Sequence, residues 1–389
     1  MKKIVIITAT RAEYGMLRPL IEALGREPSF DVKVVVTGAH LLAEYGNTYK
    51  LIENDGIEIA EKISIPIDTS DAFGISNCMG VAIVEFARYF RDEKPDLVIV
   101  LGDRYEIPAF CIAAMNERVP IAHIAGGETT EGAVDEAYRH AVTKMSYLHF
   151  TAAESYRHRV IQLGESPERV FNVGSLTLEN ILQHDNVSRE ELEQFLGISL
   201  AGTYALMTFH PVTLDDEDPT RQAKEVIDAM IATPEIEYIC TKANADVGGM
   251  AINELLEEAQ QRYSNIHLYS SLGQARYFSL MSGAAFVLGN TSSGIGEAPA
   301  FKVPTVNIGN RQKGRLRADS IIDCNTQKDQ IIAAINKAMS EEFRAAIVNM
   351  VNPYGDGHSS EKIVEILKKQ LADDIDLKKK FYDIDFCVD

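Results

Sequence analysis

The stretch Leu97-Val98-Ile99-Val100-Leu101-Gly102-Asp103-Arg104-Tyr105-Glu106 decides the fold class of this chain. Its continuous apolar run, rich in β-branched residues, predicts a strand that is buried on both faces of a sheet. Gly102 and Asp103 then break the run, and a stretch with helical periodicity follows over 106–117. A strand, a turn and a helix in this order are the repeating unit of a parallel α/β sheet.

The same unit recurs in two series along the chain. The first series predicts strands at 4–8, 32–37, 97–101, 121–124, 148–152 and 170–173, with helices near 15–26, 77–92, 106–117, 133–145 and 153–163. The second series predicts strands at 204–209, 236–240, 266–269, 285–289, 305–308 and 321–324, with helices near 219–232, 247–262, 273–282, 294–302, 327–340 and 359–371. Two such series in 389 residues predict two doubly wound, Rossmann-like domains.

The polar segment 177–200 lies between the two series and marks the domain junction. We therefore expect an N-terminal domain over 1–177 and a C-terminal domain over 178–365. The remaining residues, 366–389, comprise a helix end and a tail that either packs on the first domain or extends from it. Because ligands of open parallel sheets bind beyond the carboxyl ends of the strands, two such domains facing each other predict a ligand in the cleft between them.

Composition excludes several classes of protein. Apolar residues at 46% and charged residues at 24% are typical of a globular protein. A net charge of −19 argues against non-specific binding to nucleic acid or to an anionic membrane. The five cysteines are scattered and lack close metal-ligand spacing, so we expect neither disulfides nor a structural zinc. No run is long enough to cross a bilayer or to form a signal peptide, so we expect a cytoplasmic protein.

The strongest phosphate signal is Gly289-Asn290-Thr291-Ser292-Ser293-Gly294-Ile295-Gly296-Glu297, directly after a predicted strand. Free backbone N–H groups at such a turn suit a diphosphate, which we assign to Thr291, Ser292 and Ser293. Glu297 is then placed to accept hydrogen bonds from ribose hydroxyls. The alternative is a capped helix whose serines satisfy only its own backbone. Gly294 and Gly296 favour close approach of a ligand.

Two further segments of the second half end strands at the same sheet edge. His210 follows the strand at 204–209, where a substrate-facing role competes with that of a buried histidine satisfied by backbone. A basic run over 310–317 follows the strand at 305–308 and places Arg311 nearest the strand end. It is either a solvated loop or an anion-binding loop, and its position favours the second.

In the first half, charged residues follow the predicted strands. Arg11 and Arg104 are candidate substrate ligands in the loops after 4–8 and 97–101. Asp103, Glu128 and Asp135 are candidate catalytic carboxylates, although an aspartate at such a position is often only a helix cap. Carboxylates crowded into one pocket push each other's pKa values apart, which provides an acid and a base near neutral pH.

Together these motifs resemble the hydrolysing UDP-N-acetylglucosamine 2-epimerases. The similarity runs in the same order from Arg11 to Arg317, through the following motifs: Arg11-Ala12-Glu13-Tyr14-Gly15, Gly102-Asp103-Arg104-Tyr105-Glu106, His123-Ile124-Ala125-Gly126-Gly127-Glu128, Arg139-His140, His210-Pro211-Val212-Thr213, the 291–297 turn and Gly309-Asn310-Arg311-Gln312. Non-hydrolysing epimerases typically carry Arg-Pro-Glu, Gly-Asp-Thr and Glu-Ala-Gly-Leu-Arg at three of these places, so the resemblance favours the hydrolysing branch. Some hydrolysing members carry a catalytic Glu where this chain has Ala125, so either Glu128 takes that role or the pocket differs.

The resemblance implies a two-domain glycosyltransferase-B fold. The sequence shows no cluster of metal ligands, so we expect a reaction that requires no metal, and we expect no cofactor. UDP-N-acetylglucosamine and water would give N-acetylmannosamine and UDP through 2-acetamidoglucal, with proton transfers by Asp103, Glu128 and Asp135. His210, which we also count as a candidate catalytic residue, would bind phosphate, and Arg276 would lie on the uridine side. Closely related enzymes act on UDP-N,N′-diacetylbacillosamine, which stays an alternative, as do a glycosyltransferase of the same fold and a nucleotide-sugar sensor. We expect a homodimer or homotetramer.

Overall fold

The computed structural model describes residues 1–68, 72–129, 134–183, 186–211, 218–243 and 249–385, and these form two compact units. Unit 1 comprises Met1–Asn180 and Tyr354–Asp389, and unit 2 comprises Ile181–Pro353. The chain thus returns to unit 1 before the boundary that we predicted at 365, and that boundary was wrong. The last helix belongs to unit 1 because its apolar face packs against the first helix of the chain.

Unit 1 is built on a seven-stranded sheet whose paired strands are all parallel. Its strands are β1 (Lys2–Thr8), β2 (Phe30–Thr37), β3 (Ile59–Ile63), β4 (Leu97–Leu101), β5 (Ile121–Ile124), β6 (Leu148–Thr151) and β7 (Val170–Asn172), in the order β3-β2-β1-β4-β5-β6-β7. Its helices are α1 (Arg11–Gly25), α2 (Tyr49–Asn54), α3 (Ala72–Glu93), α4 (Glu106–Asn116), α5 (Val134–Met145), α6 (Glu154–Gln162) and α7 (Leu176–Leu182), which carries the unit boundary. α15 (Ser359–Gln370) completes the unit.

Unit 2 is built on a six-stranded sheet, again with parallel pairing only. Its strands are β8 (Thr203–Thr208), β9 (Ile236–Thr241), β10 (Ile266–Tyr269), β11 (Phe286–Gly289), β12 (Thr305–Ile308) and β13 (Ile321–Cys324), in the order β10-β9-β8-β11-β12-β13. Its helices are α8 (Arg189–Leu196), α9 (Pro219–Ile231), α10 (Gly249–Arg262), α11 (Gln274–Gly283), α12 (Ser292–Gly296), α13 (Lys328–Met339) and α14 (Glu341–Ile347). The predicted helix at 294–302 is two pieces, α12 and a 3-10 turn over Ala298–Phe301.

Both sheets are buried on two faces, as the continuous apolar runs predict. Every residue of β4 and of β11 is buried. Helices α1 and α15 cover one face of the first sheet, and α3 and α4 cover the other. The predicted doubly wound architecture is confirmed for each unit.

Each sheet has one point where the strand order reverses. In unit 1 it lies between β1 and β4, and in unit 2 between β8 and β11. The loops that leave neighbouring strands there run to opposite faces of the sheet, which opens a crevice at the carboxyl edge. These crevices are where functional side chains are expected.

The C-terminal tail packs on unit 1. Lys379 donates hydrogen bonds to the carbonyl oxygens of Lys144 and Ser146, at 2.9 and 2.6 Å, and forms an ion pair with Glu165 at 2.7 Å. Burial by itself would raise the pKa of Glu165, but His149, Lys144 and Lys379 lower it to about 2. The buried carboxylate therefore ties the tail to the core of unit 1.

Some sequence features have little structural consequence. None of the helices in the described part of the chain is both long and apolar enough to span a bilayer. Cys78, Cys111, Cys240 and Cys324 are free thiols, and Cys387 lies outside the described residues. Among the described ranges, no three His, Cys, Asp or Glu side chains are grouped so as to hold a metal ion.

Candidate active site

A cavity of about 310 Å³ lies at the carboxyl edge of the first sheet, at its reversal point. Segments that follow five strands line it, because β1, β4, β5, β6 and β7 all end at this edge. The lining residues are Thr10, Ala12, Glu13, Met16, Leu101, Gly102, Asp103, Arg104, Ile124, Ala125, Glu128, Phe150, Ala152, Gly174, Ser175, Leu176 and Thr177. Two of the three predicted carboxylates, Asp103 and Glu128, are therefore at one cavity.

Asp103 is bound by a buried arginine that the sequence analysis did not assign to the site. The Nη2 of Arg139, on α5, donates a hydrogen bond to Asp103 Oδ2. Its Nη1 donates to the carbonyl oxygen of Glu128 at 2.8 Å and to Glu136 Oε2 at 2.9 Å. One guanidinium thus connects the loop after β4 with the loop after β5.

The turn that carries Asp103 is also stabilised by a hydrogen bond from a buried histidine. Gly102 has a φ of 77°, a conformation that a residue with a side chain rarely adopts. Its carbonyl oxygen lies 2.9 Å from Nε2 of His123, a fully buried side chain on β5. Burial lowers the pKa of His123 to about 3, so the neutral ring donates this hydrogen bond at neutral pH.

Glu13 is a third carboxyl group at the cavity, and the sequence analysis quoted it without assigning it a role. It lies in the first turn of α1, and only 5% of the residue is exposed. Its Oε2 accepts a hydrogen bond from the backbone N–H of Ala9 at 2.7 Å, while its Oε1 has no hydrogen-bond partner among the described residues. Burial raises the pKa of Glu13 to about 7, and the nearby Glu106 adds to the rise. This carboxyl group can therefore hold a proton at neutral pH.

The two predicted arginines of unit 1 occupy different environments. Arg104 lines the cavity and forms an ion pair with the buried Glu106 at 3.1 Å, and its Nε lies 3.7 Å from Glu13 Oε1. Arg11 is exposed at the first position of α1 and is not part of the cavity wall. Only Arg104 is therefore held in place by carboxylates.

The expectation that Asp135 crowds the same cavity is wrong for this structure. Asp135 is exposed in the first turn of α5 and does not line the cavity. The helix instead turns Arg139, one turn further on, towards Asp103. Residues 130–133, which include Glu131 and immediately precede α5, lie outside the described residues.

In unit 2, the loops after β8 and β11 are joined at the reversal point of the sheet. The backbone N–H of His210 donates to Asn290 Oδ1 at 2.7 Å, and Asn290 Nδ2 donates to the His210 carbonyl oxygen at 2.8 Å. Both residues are buried. His210 is thereby fixed at the carboxyl edge, while Val212 and Thr213 of the same motif lie outside the described residues.

The predicted phosphate turn has the expected cap. Thr291 is the N-cap of α12, and its side chain accepts a hydrogen bond from the N–H of Ser293 at 3.3 Å. The hydroxyl of Ser293 donates to Glu297 Oε2, and burial raises the pKa of Glu297. Ser292 is exposed. The turn thus has hydroxyl groups and a partly buried carboxyl group side by side.

The structure gives a reason for the glycine at position 294 that differs from close approach of a ligand. A Cβ at this position would lie 2.8 Å from Cγ2 of Thr305, a residue of β12. The same Thr305 donates its hydroxyl to the Gly294 carbonyl oxygen at 2.8 Å. Gly294 is therefore small because α12 packs closely on the sheet, whereas Gly296 has open space around it.

The two predicted arginines of unit 2 are also placed differently. Arg311 follows β12 and donates to the carbonyl oxygen of Asn290 at 3.2 Å, beside Gln312, which donates to the same oxygen at 2.9 Å. Arg276 is an exposed residue of α11, and its guanidinium lies over the ring of Phe195 at 4.1 Å. Arg311 therefore belongs to the strand-end cluster with His210 and Asn290, and Arg276 lines a separate groove between α8 and α11.

Comparison with known proteins places this arrangement in a family. Residues 22–368 match the family described as UDP-N-acetylglucosamine 2-epimerase. This chain belongs to that family. A relative from Campylobacter jejuni, "GDP/UDP-N,N′-diacetylbacillosamine 2-epimerase (hydrolyzing)", is 39% identical over 98% of this chain and 99% of its own. "Polysialic acid biosynthesis protein P7" from Escherichia coli is 38% identical over 100% of this chain and 99% of its own.

Solved structures agree with this epimerase-family fold. The crystal structure of UDP-GlcNAc 2-epimerase from Neisseria meningitidis bound to UDP-GlcNAc matches with a TM-score of 0.80. The match covers 95% of this chain and 100% of that chain at 19% sequence identity. The two parallel α/β sheets are therefore those of a glycosyltransferase-B-like epimerase, as predicted.

Proposed function

We propose that this epimerase-family chain is a hydrolysing 2-epimerase that converts UDP-N-acetylglucosamine and water into N-acetylmannosamine and UDP. The family match supports epimerisation at carbon 2 of a UDP-sugar. The name of the 39% identical relative supports hydrolysis, since that protein is called hydrolyzing. The observation that carries the proposal is the cavity lined by Glu13, Asp103 and Glu128 at the reversal point of the first sheet.

The reaction requires two half-steps that balance as follows. A base removes the proton from carbon 2 while the bond between carbon 1 and the UDP oxygen breaks, which leaves a double bond between carbons 1 and 2. Water then adds its hydroxyl to carbon 1, and an acid returns a proton to carbon 2 from the opposite face. One water is consumed, and the products are UDP and the free 2-epimer. The protein must supply a base, an acid and neutralisation of the leaving diphosphate.

The carboxylates of unit 1 suit the proton transfers. Asp103 lines the cavity and is held by the guanidinium of Arg139, so its carboxylate is positioned to act as the base. Glu13 holds a proton near neutral pH, as an acid must. Glu128 lines the same cavity and is the third candidate. A catalytic role for Asp135 stays a prediction.

The strand-end cluster of unit 2 suits the nucleotide. In this proposal the diphosphate binds where α12 begins, with basic and hydroxyl groups around it, and Glu297 accepts hydrogen bonds from the ribose. We assign the phosphate ligands to Arg11, His210, Thr291, Ser292, Ser293 and Arg311. Arg104 is a further substrate ligand, and Arg276 is assigned to the uridine side. In this proposal the cavity of unit 1 binds the sugar, and the strand-end cluster of unit 2 binds the nucleotide.

A second substrate, UDP-N,N′-diacetylbacillosamine, is favoured by two observations. It is named for the C. jejuni relative. In addition, the cavity lining includes the apolar side chains of Met16, Phe150 and Leu176. An apolar wall suits a methyl group at carbon 6 better than the hydroxymethyl group of N-acetylglucosamine.

Incubation with each UDP-sugar, followed by proton NMR, tests both the reaction and the substrate. Equal amounts of UDP and free 2-epimerised sugar support the proposal, and the larger kcat/KM identifies the preferred sugar. UDP-N-acetylmannosamine without free sugar would assign the chain to the non-hydrolysing branch. An unchanged UDP-sugar after long incubation would indicate a binding protein, and transfer to an added acceptor a glycosyltransferase. Oligomeric state, predicted as dimer or tetramer, is measured separately by light scattering.

A further inference from the structure

Arg139 connects three separate parts of the chain around the cavity. Its guanidinium donates to the side chain of Asp103 after β4, to the backbone of Glu128 after β5, and to Glu136 on its own helix. Only 6% of the residue is exposed. A buried arginine of this kind is retained at a cost in desolvation, which is recovered only when its donors are well paired.

The geometry requires an arginine and no smaller cation. The planar guanidinium carries donors in a fixed fork, so it can bind Asp103 through Nη2 and two further acceptors through Nη1 at the same time. A lysine ammonium is a point charge and cannot hold all three acceptors in one plane. Glu136, which accepts one of these hydrogen bonds, is itself held in position, because its Oε1 lies 3.0 Å from Nε2 of His140 one turn along α5.

We propose that Arg139 is a positioning residue that fixes Asp103 relative to the Glu128 loop, so that the two carboxylates face one sugar. This inference rests on the proposed function, in which Asp103 is the base and Glu128 is a further candidate for proton transfer. Arg139 itself touches no reacting atom. Its contribution is to keep Asp103 correctly oriented, and a displacement of a catalytic group by about 1 Å can cost about a hundredfold in rate.

The matched control is Arg157 on α6. It shares two kinds of partner with Arg139, an ion pair with a glutamate three residues earlier (Glu154, 2.9 Å) and a hydrogen bond to a backbone carbonyl (Val170, 2.9 Å), but it has no counterpart of Asp103. It does not line the cavity. Arg157→Ala therefore removes comparable structural contacts without altering the Asp103 turn.

The test compares Arg139→Ala, Arg139→Lys and Arg157→Ala by steady-state kinetics on the full chain. We expect Arg139→Ala to lower kcat by about a hundredfold or more, with KM for the UDP-sugar changed by less than about threefold. Arg139→Lys should recover part of the loss, because the positive charge is retained. Millimolar guanidinium chloride should restore activity to Arg139→Ala by occupying the vacated position, and it should have no such effect on Arg157→Ala.

Two outcomes would overturn the inference. One is a kcat of Arg139→Ala, or of Arg139→Lys if the alanine variant does not fold, that stays within about threefold of the wild type. The other is an equal loss of kcat in Arg139→Ala and Arg157→Ala without rescue by guanidinium, which would mean that only stability was changed. Failure of the proposed function is distinguishable, because the wild-type protein would then release no free 2-epimerised sugar.

Discussion

The side-chain amide of Asn290 makes two hydrogen bonds to the backbone of His210, one to its carbonyl oxygen at 2.8 Å and one from its N–H at 2.7 Å. These residues are 80 positions apart in the sequence. The pair holds together the ends of β8 and β11, the two strands between which the order of the second sheet reverses. The side chain of Asn290 thus joins two strand ends by hydrogen bonds, as backbone hydrogen bonds join the strands within the sheet.

Replacement of Asn290 should therefore weaken both the fold of unit 2 and its binding of UDP. Asn290→Ala removes both hydrogen bonds between the Asn290 amide and the buried backbone of His210, and the loss of such a bond costs about 1–3 kcal/mol. We expect a lower urea midpoint and an affinity for UDP about tenfold weaker by calorimetry. Asn336→Ala, at an exposed position of α13, is the control. Equal behaviour of the two variants would show that the pair has no such role.

The raised pKa of Glu13 predicts a specific pH dependence of stability. The folded pKa of about 7 lies above the unfolded value near 4.5, so the stabilising contribution is complete below about pH 4.5 and is lost as pH rises through 7. Glu13→Gln keeps an acceptor for the Ala9 N–H and removes the ionisation. The melting temperature of Glu13→Gln should match that of the wild type near pH 4.5 and exceed it at pH 8. The difference at pH 8 corresponds to up to about 3 kcal/mol in the free energy of unfolding.

Glu22→Gln is the control for that measurement, since Glu22 lies on the same helix in an exposed ion pair with Arg18. Its melting temperature should differ from that of the wild type by a similar amount at both pH values. A constant difference for Glu13→Gln between pH 4.5 and 8 would contradict the assignment of the raised pKa.

Ala125 has a strained backbone at the wall of the cavity. Its φ is 67°, in the left-handed region that costs a residue with a side chain about 1–2 kcal/mol. Ala125→Gly should therefore be neutral or stabilising by up to about 1 kcal/mol in urea unfolding, after the entropy cost of glycine is subtracted. Ala122→Gly, in the extended backbone of β5, should be destabilising. Equal destabilisation by both changes would show that Ala125 is not strained.

The strands could be predicted from the sequence wherever a continuous apolar run is buried on both faces. β4, β5, β10, β12 and β13 begin and end where the sequence predicts. β3 was missed because it is an edge strand whose central residues, Ala60 to Lys62, are exposed, so it has no apolar run. α8 was missed within a polar segment, although Ser188 and Glu191 form a capping box that could have identified its start.

The site could be predicted only in part. The turn after β4 identified Asp103 because a glycine and an aspartate directly follow a buried strand. Its pairing with Arg139 depends on the packing of α5 beside that turn, across 36 residues of sequence, and no local pattern shows it. The burial of Glu13 is likewise a property of the assembled cavity, although its place three residues after the Thr10 cap is typical of a helix start.

Deuterium incorporation at carbon 2 of the released sugar tests the central claim most directly. The account predicts that UDP-N-acetylglucosamine, incubated with the protein in heavy water, yields UDP and free N-acetylmannosamine that carries deuterium at carbon 2 in every molecule, since the proton returned there comes from a solvent-exchanged carboxyl group. Release of a free sugar that keeps its original hydrogen at carbon 2 would contradict elimination and re-addition, and with it the roles given to Asp103 and Glu128.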